Sequence, residues 1–264
     1  MEVHTHTHLA SVETQTLQKK WTHYFWEFLM LFLAVTLGFF VENQREHYVE
    51  HQRAKQYAAL LYDDIKVDTV TAKYQIWVLK FVNPRIDTFV SLVQKYKPEE
   101  LPGGTWYYYG RFPGRYFNIT FQDATIQQLK SSGGLRYFGN SSIANAIALY
   151  DQACRNLQSE INNQNLHYLE VIKWRNQLYN IFMMEEVMNL NVPYSKIDSF
   201  KKREIPLLSS RKEDFIQYAN ISQYRSGSNE FLYTLYENVF KKGESLLALL
   251  KKEYHLSERT PSEE

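Results

Sequence analysis

The chain of 264 residues carries 30 basic and 29 acidic side chains, so its charges nearly cancel. With its charges so balanced, the chain has no overall positive potential that would attract nucleic acid or an acidic substrate. Neither is expected as a partner. Glycine and proline are scarce, at 10 and 7 residues, which favours long helices over a β-rich fold. The single cysteine, Cys154, excludes an intrachain disulfide but does not fix the compartment.

Residues 1–20 are predicted to form a disordered tail, because the first seventeen are polar, threonine-rich and without an apolar period. His4, His6 and His8 alternate with threonine in this tail. Ordering a flexible chain around a metal costs entropy, so three such histidines bind weakly and unselectively. No specific metal site and no cofactor are predicted.

Residues 21–44 are predicted to form a transmembrane helix. The run from Phe28 to Val41 has no charge, and extension back to Tyr24 gives eighteen residues interrupted once by Glu27. At a rise of about 1.5 Å per residue, this segment reaches about 27 Å, close to the hydrocarbon thickness of a bilayer. Aromatic residues at both ends are typical of the interfacial belt. The alternative is a buried core helix, while a cleaved signal peptide fits poorly because no small-x-small site follows.

The orientation of this helix rests on its flanking basic residues. Lys19 and Lys20 precede the span, whereas Arg45, Arg53 and Lys55 follow it among several acids. A count of basic residues does not decide the topology, but the short lysine-bearing tail favours a cytoplasmic N-terminus. We therefore expect a single-pass protein of the inner (cytoplasmic) membrane with a periplasmic C-terminal domain.

Glu27 is the candidate functional residue of the span. An acid costs roughly 2.5–3.5 kcal/mol at the centre of a membrane helix and less near its ends. Beside Trp26, the carboxylate is favoured to lie at headgroup level, where its cost is small. The alternative is a protonatable group between the helices of an oligomer.

Residues 45–256 are predicted to form a soluble helical domain, and residues 257–264 a disordered tail. Apolar residues from Tyr57 onward follow helical spacing until Asn83-Pro84, which is expected to break or kink the helix. Residues 105–122 are rich in aromatics but cut by glycine and proline, and predict an irregular loop or short hairpin. The fold class is thus mainly α, a membrane helix continuing into a long-helix bundle.

Three further helical regions are expected downstream. Asp123 can cap a short helix that ends at a Ser-Ser-Gly-Gly sequence, and a long helix starts near Ser141 or Ser142. The long helix carries an apolar stripe typical of a bundle or a coiled-coil seam. Residues 191–212 predict a connector, and the last helices are expected at Lys212–Tyr224 and Glu230–Tyr254.

Several patterns resemble catalytic motifs, but each has a more ordinary interpretation. His47, Glu50 and His51 match the H-x-x-E-H zinc-protease signature, yet no glutamate occurs between residues 100 and 160 to supply a third ligand. An acidic group at residues 63, 64 and 68 predicts a solvated helix face. Cys154 lies on an apolar stripe, which favours a buried small side chain over a nucleophile. We predict no catalytic residue and no enzymatic activity.

The order of several segments resembles an uncharacterised family of Gram-negative bacterial proteins, each with one N-terminal membrane helix and a helical domain of unknown function. The resemblance lies in Glu27 before the apolar run, Asn43 to Glu46 after it, and Leu246 to Tyr254 near the end. The most specific stretch is Thr125 to Tyr150, with a Leu-Lys-x-Ser-Gly pattern before a long helix. The resemblance covers residues 20–256 and implies no activity or ligand.

Together these features predict a membrane-anchored helical module that senses or scaffolds through protein contacts at the cell envelope. Its expected partners are the lipid bilayer and another protein or further copies of the same chain. The alternative is a subunit of an ion-coupled or force-transducing membrane complex that uses Glu27.

Overall fold

The computed structural model describes residues 13–115 and 119–256, with side chains described from residue 21 onward. The chain divides into two compact units, Met1–Ala54 and Lys55–Glu264. All regular structure in the described ranges is helical, which confirms the predicted mainly α class. The six α-helices of these ranges are α1 (Glu13–Lys95), α2 (Gly103–Gly110), α3 (Ala124–Ser131), α4 (Ser141–Leu178), α5 (Tyr194–Lys201) and α6 (Lys212–Tyr254). Short 3-10 helices cover Pro98–Glu100, Gly134–Tyr137 and Ile181–Val187.

Helix α1 is longer than the sequence indicates at both ends. It begins at Glu13 rather than within the predicted span, and it continues through Pro84 to Lys95. The predicted break at Asn83-Pro84 is therefore wrong.

Proline removes one backbone hydrogen bond from a helix, and contacts of the neighbouring residue compensate for that loss at Pro84. Asn83 donates to the carbonyl of Ser226 at 3.1 Å and accepts from Asn229 at 2.9 Å. The remaining tail residues 1–12 and 257–264 lie outside the described part of the chain.

Helix α6 is one element where two were expected. The Arg-Ser-Gly-Ser-Asn sequence at residues 225–229 has the composition of a turn, but its polar side chains are buried inside the unit. Ser226 donates to Asp87 at 2.7 Å, and Arg225 donates to Gln164 at 3.0 Å. Because buried polar groups require partners, these bonds to α1 and α4 hold the segment in helical form. The predicted interruption is wrong.

The aromatic segment after Pro102 starts with a helix instead of a hairpin. Helix α2 forms because Gly103 and Gly104 let its first turn lie directly against the backbone after α5. A Cβ at Gly103 would overlap the carbonyl of Ile205, and Gly104 donates to Arg203 at 2.9 Å. Residues 111–115 and 119–123 are irregular, as expected. A further difference is α5, which lies inside the predicted connector.

Helices α3 and α4 agree closely with the sequence pattern. Helix α3 follows Asp123, but the Asp123 side chain does not form the predicted capping bond and instead accepts from the Gln127 side chain at 3.4 Å. The helix is ended by Gly133, which has a positive φ of 66° that glycine adopts without strain. Helix α4 begins at the predicted Ser141, and Asn140 caps it by accepting from the Ser142 amide at 2.9 Å. It ends at Leu178 and packs against α6. Its predicted apolar stripe is buried at Ile143, Ile147, Tyr150, Cys154, Leu157 and Ile161, whereas its last two predicted members, Tyr168 and Ile172, are half-buried.

Candidate functional site

The predicted span is the one described segment that is long and apolar enough to cross a membrane. Its best window of eighteen residues has a mean hydropathy of 1.9, and none of that window is buried within the chain. Large side chains along it are exposed, from Trp21 at 77% to Leu33 at 43%. Burial by its own described chain therefore does not account for this segment, whose apolar surface requires lipid or another protein.

Glu27 lies on α1 and forms a contact that the sequence analysis missed. The Nε2 atom of His23 is 3.2 Å from a carboxylate oxygen of Glu27, one helical turn away. Both side chains are mostly exposed. The acid of the apolar segment therefore has an ionisable partner on its own helix.

The zinc-protease pattern lies on an exposed part of α1. His47 and His51 share a helical element with Glu50. Among the described residues, no group of three histidine, cysteine, aspartate or glutamate side chains is placed to hold a metal. The histidines at positions 4, 6 and 8 lie outside the described residues.

The predicted solvated face holds for Asp63, which is exposed, but is wrong for Asp64 and Asp68, which are partly and fully buried. Asp68 is only 2% exposed and accepts two hydrogen bonds, from the Gln122 amide at 3.0 Å and the Tyr150 hydroxyl at 2.8 Å. Asp64 accepts from the Thr125 hydroxyl at 2.6 Å. These carboxylates join α1 to α3, to α4 and to the loop between α2 and α3.

Ionisation in this cluster is suppressed by burial. Burial raises the pKa of Asp68, although the bonds from Gln122 and Tyr150 act in the opposite direction. Burial also raises the pKa of the Tyr150 hydroxyl, and it raises the pKa of the Cys154 thiol to about 12. The thiol stays protonated at neutral pH, so the expected burial of Cys154 is confirmed, and the cluster has the character of a structural junction.

A cavity of about 390 Å³ lies beside the irregular segment that follows α2. Arg111 and Arg115 contribute from that segment, and Arg175 contributes from the last turn of α4. The rest of the lining is mostly apolar and includes Phe112, Ile181 and Met188. This site was not predicted from the sequence, although the arginines interleaved with aromatics in residues 106–117 are a visible signal. We call this space the arginine cavity.

Arg111 is the most buried of the three arginines, with 6% exposure. Its guanidinium lies over the rings of Phe112 and Tyr108, at 4.2 Å and 5.1 Å from their centroids. Burial lowers the pKa of Arg111 to about 10, and the charges of Arg115 and Arg85 lower it further, while Tyr108 opposes the change. The group is therefore still cationic at neutral pH.

A second exposed feature runs along α1 within the unit that begins at Lys55. Its members are mostly apolar, are spaced three, four and seven apart, and range from 44% to 65% exposed: Leu60, Val67, Val70, Tyr74 and Trp77. Aromatic stacking continues from Tyr74 to Trp77 at 5.8 Å and on to Phe81 at 5.7 Å. We call this row of residues the α1 stripe. Such spacing is typical of a helix seam that packs on a second helix.

Comparison with protein-family models, curated proteins and solved structures finds no match for this chain. The family resemblance over residues 20–256 therefore stays a prediction. The features of the described structure that bear on function are the apolar segment, the α1 stripe and the arginine cavity.

Proposed function

We propose that this protein is a single-pass scaffold of the inner membrane, anchored by residues 21–44, whose helical domain acts in the periplasm through protein contacts. The first of these contacts is with a second copy through the α1 stripe. The exposed heptad pattern of that stripe is the observation that carries the proposal. An apolar row of this kind is stabilised when it is removed from water, by roughly 25 cal/mol per Å² of apolar surface.

The charges beside the stripe favour a parallel pair. Lys66, Lys73 and Lys80 follow one edge at intervals of seven residues. In an antiparallel pair these lysines would meet those of the other copy, whereas in a parallel pair Lys66 faces the uncharged Thr71. Insertion of both copies into one membrane also raises their local concentration. Parallel association therefore keeps the lysine rows of the two copies apart.

Cysteine cross-linking tests this arrangement. Val70→Cys is introduced at the middle of the stripe in a Cys154→Ala background, and isolated membranes are oxidised. In a parallel pair the two new thiols face each other across the seam, so a covalent dimer should appear on denaturing gels. Glu244→Cys, exposed on α6, is the matched control and should stay monomeric. A monomeric Val70→Cys protein would exclude the stripe as the contact.

The second candidate function is that of a subunit in an ion-coupled or force-transducing complex. The observation that favours it is the contact of His23 with Glu27 at 3.2 Å, because an imidazole and a carboxylate can exchange a proton. In this alternative, Glu27 is an intramembrane titrating group rather than an interfacial one. Substitution of Glu27 separates the two functions, as argued in the Discussion.

A further inference from the structure

Two donors of Arg111 lack acceptors in the described structure. Its Nε and Nη2 atoms are buried without a hydrogen-bond partner among the described residues. Phe112 and Tyr108 lie against the guanidinium. The part of the group left for a hydrogen-bond acceptor is therefore the in-plane edge that carries these two N–H groups. A buried charged donor without an acceptor is costly, and such groups in folded proteins are rare.

The two unpaired atoms form the edge that recognises a planar pair of oxygens. Arg45 of the same chain uses its Nε and Nη2 atoms in this way, donating to the two carboxylate oxygens of Glu42 at 3.0 Å and 2.6 Å. Carboxylates and phosphates both present oxygens at the spacing of this fork. The unpaired edge of Arg111 therefore has the chemistry of an oxyanion ligand, and its two atoms are buried in the described structure.

The charge of the arginine cavity is not neutralised within the described chain. Arg111, Arg115 and Arg175 all line it, and none forms an ion pair with a described carboxylate. Arg175 makes only long bonds, of 3.4 Å, to the side-chain oxygen of Asn176. Burial lowers the pKa of Arg115 as well. Like charges gathered in a partly buried space repel one another, and an anion relieves that repulsion.

The surrounding structure holds the arginines in place. Arg225, which is 2% exposed, donates to the Arg115 carbonyl and to the Gln164 side chain, each at 3.0 Å. Gly114 gives Arg175 its space, because a Cβ at that position would lie 2.9 Å from the Arg175 Nη1 atom. The bond from Arg225 on α6 holds the backbone of Arg115 in place, which pre-organises this part of the site for its ligand.

We infer that the arginine cavity binds a small organic oxyanion, a carboxylate or a phosphate monoester, with Arg111 as its bidentate ligand. The volume of about 390 Å³ exceeds the need of an inorganic ion, and Phe112, Ile181 and Met188 provide apolar surface for an organic body. The oxyanion is held by Arg111, and the positive charges of Arg115 and Arg175 balance the rest of its negative charge. This inference goes beyond the scaffold function and does not depend on membrane anchoring or on dimer formation.

Calorimetric titration of the full-length chain in a neutral detergent tests the site, with phenyl phosphate and benzoate as probes. We expect saturable binding of at least one probe with a stoichiometry of one. Arg111→Lys keeps the charge but loses the planar fork, so it should weaken binding by about tenfold or more. Arg136→Lys makes the same change at an exposed position away from the cavity and should leave binding unchanged. The absence of saturable binding, or equal weakening by both lysine variants, would overturn the inference.

Two further arms complete the experiment. Gly114→Ala alters no charge but crowds Arg175, and it should weaken binding. It tests the site independently if Arg111→Lys fails to fold.

Reconstitution into phosphatidylcholine vesicles with or without phosphatidic acid identifies the source of the anion. If the lipid headgroup occupies the cavity, phenyl phosphate should bind less tightly when phosphatidic acid is present. If the ligand is a soluble metabolite, the affinity should be the same in both vesicles. A Gly114→Ala protein that binds as well as wild type would contradict the role of Arg175.

Discussion

Tyr150 on α4 donates its hydroxyl to the buried carboxylate of Asp68 on α1 at 2.8 Å. The same carboxylate accepts the Gln122 amide from the loop before α3. Three segments far apart in the sequence are therefore joined at one side chain. Because burial raises the pKa of Asp68, this junction makes the stability of the fold depend on pH.

Asp68→Asn should remove that dependence. The folded pKa of Asp68 lies above its unfolded value of about 3.9, so the folded state binds more protons between these two values. The Asp68 contribution to stability is therefore largest below the unfolded pKa and is lost as the pH rises through the folded pKa. Wild type should lose stability relative to Asp68→Asn from pH 4 to pH 7, measured as the free energy of unfolding in urea.

Asp68→Ala is the control for the hydrogen bonds. It leaves the Gln122 amide and the Tyr150 hydroxyl without their acceptor, and should destabilise the fold by about 1–3 kcal/mol for each lost partner, whatever the pH. A constant difference between wild type and Asp68→Asn across the pH range would show that the carboxyl titrates normally.

Two glycines of α6 provide a matched pair for packing. A Cβ added at Gly227 would meet no heavy atom within 4 Å, so Gly227→Ala should stabilise the helix by about 0.5–1 kcal/mol. At Gly243 the added Cβ would lie 2.5 Å from the Thr69 methyl group, and Thr69 is fixed by its bond to the Lys66 carbonyl at 2.9 Å. Gly243→Ala should therefore destabilise the fold by about 1–3 kcal/mol, net of the helix gain.

Thermal unfolding of the two alanine variants, followed by circular dichroism, measures both effects. The expected signs are opposite, although the substitution and the helix are the same. If both variants became more stable, the close approach of α6 to α1 at Thr69 would be wrong.

The regular features of this fold follow from the sequence, and the exceptions have one cause. Periodicity and capping predict α4 from Ser141, because the apolar residues of its stripe from Ile143 to Ile161 face the same interior. Pro84 and the sequence at residues 225–229 are local stop signals, but the bonds of Asn83 to Ser226 and Asn229 override them. Those bonds connect positions 143 and 146 residues apart, which no local pattern reveals. The arginine cavity was missed for the same reason, since Arg175 comes 64 residues after Arg111.

Removal of residues 1–44 should release the remaining chain into the soluble fraction. The described residues contain one apolar segment able to span a membrane, and the unit from Lys55 onward has its own buried core. Fractionation by ultracentrifugation, with the full-length chain as the control, measures the change. If the shortened chain still sediments with membranes, a second membrane contact exists downstream of residue 44.

Glu27→Gln separates the scaffold from the ion-coupled alternative. The substitution preserves the shape of the side chain but removes its titratable group and its charge beside His23. In a scaffold with Glu27 at the interface, cross-linking through Val70→Cys and any growth phenotype should be nearly unchanged. In an ion-coupled complex, the phenotype should be lost while expression and cross-linking stay normal. We expect the first result, because Glu27 lies close to the aromatic end of the apolar segment. His23→Gln is the companion variant: loss of function in both, with intact assembly, would replace the scaffold by a proton-transfer role for the pair.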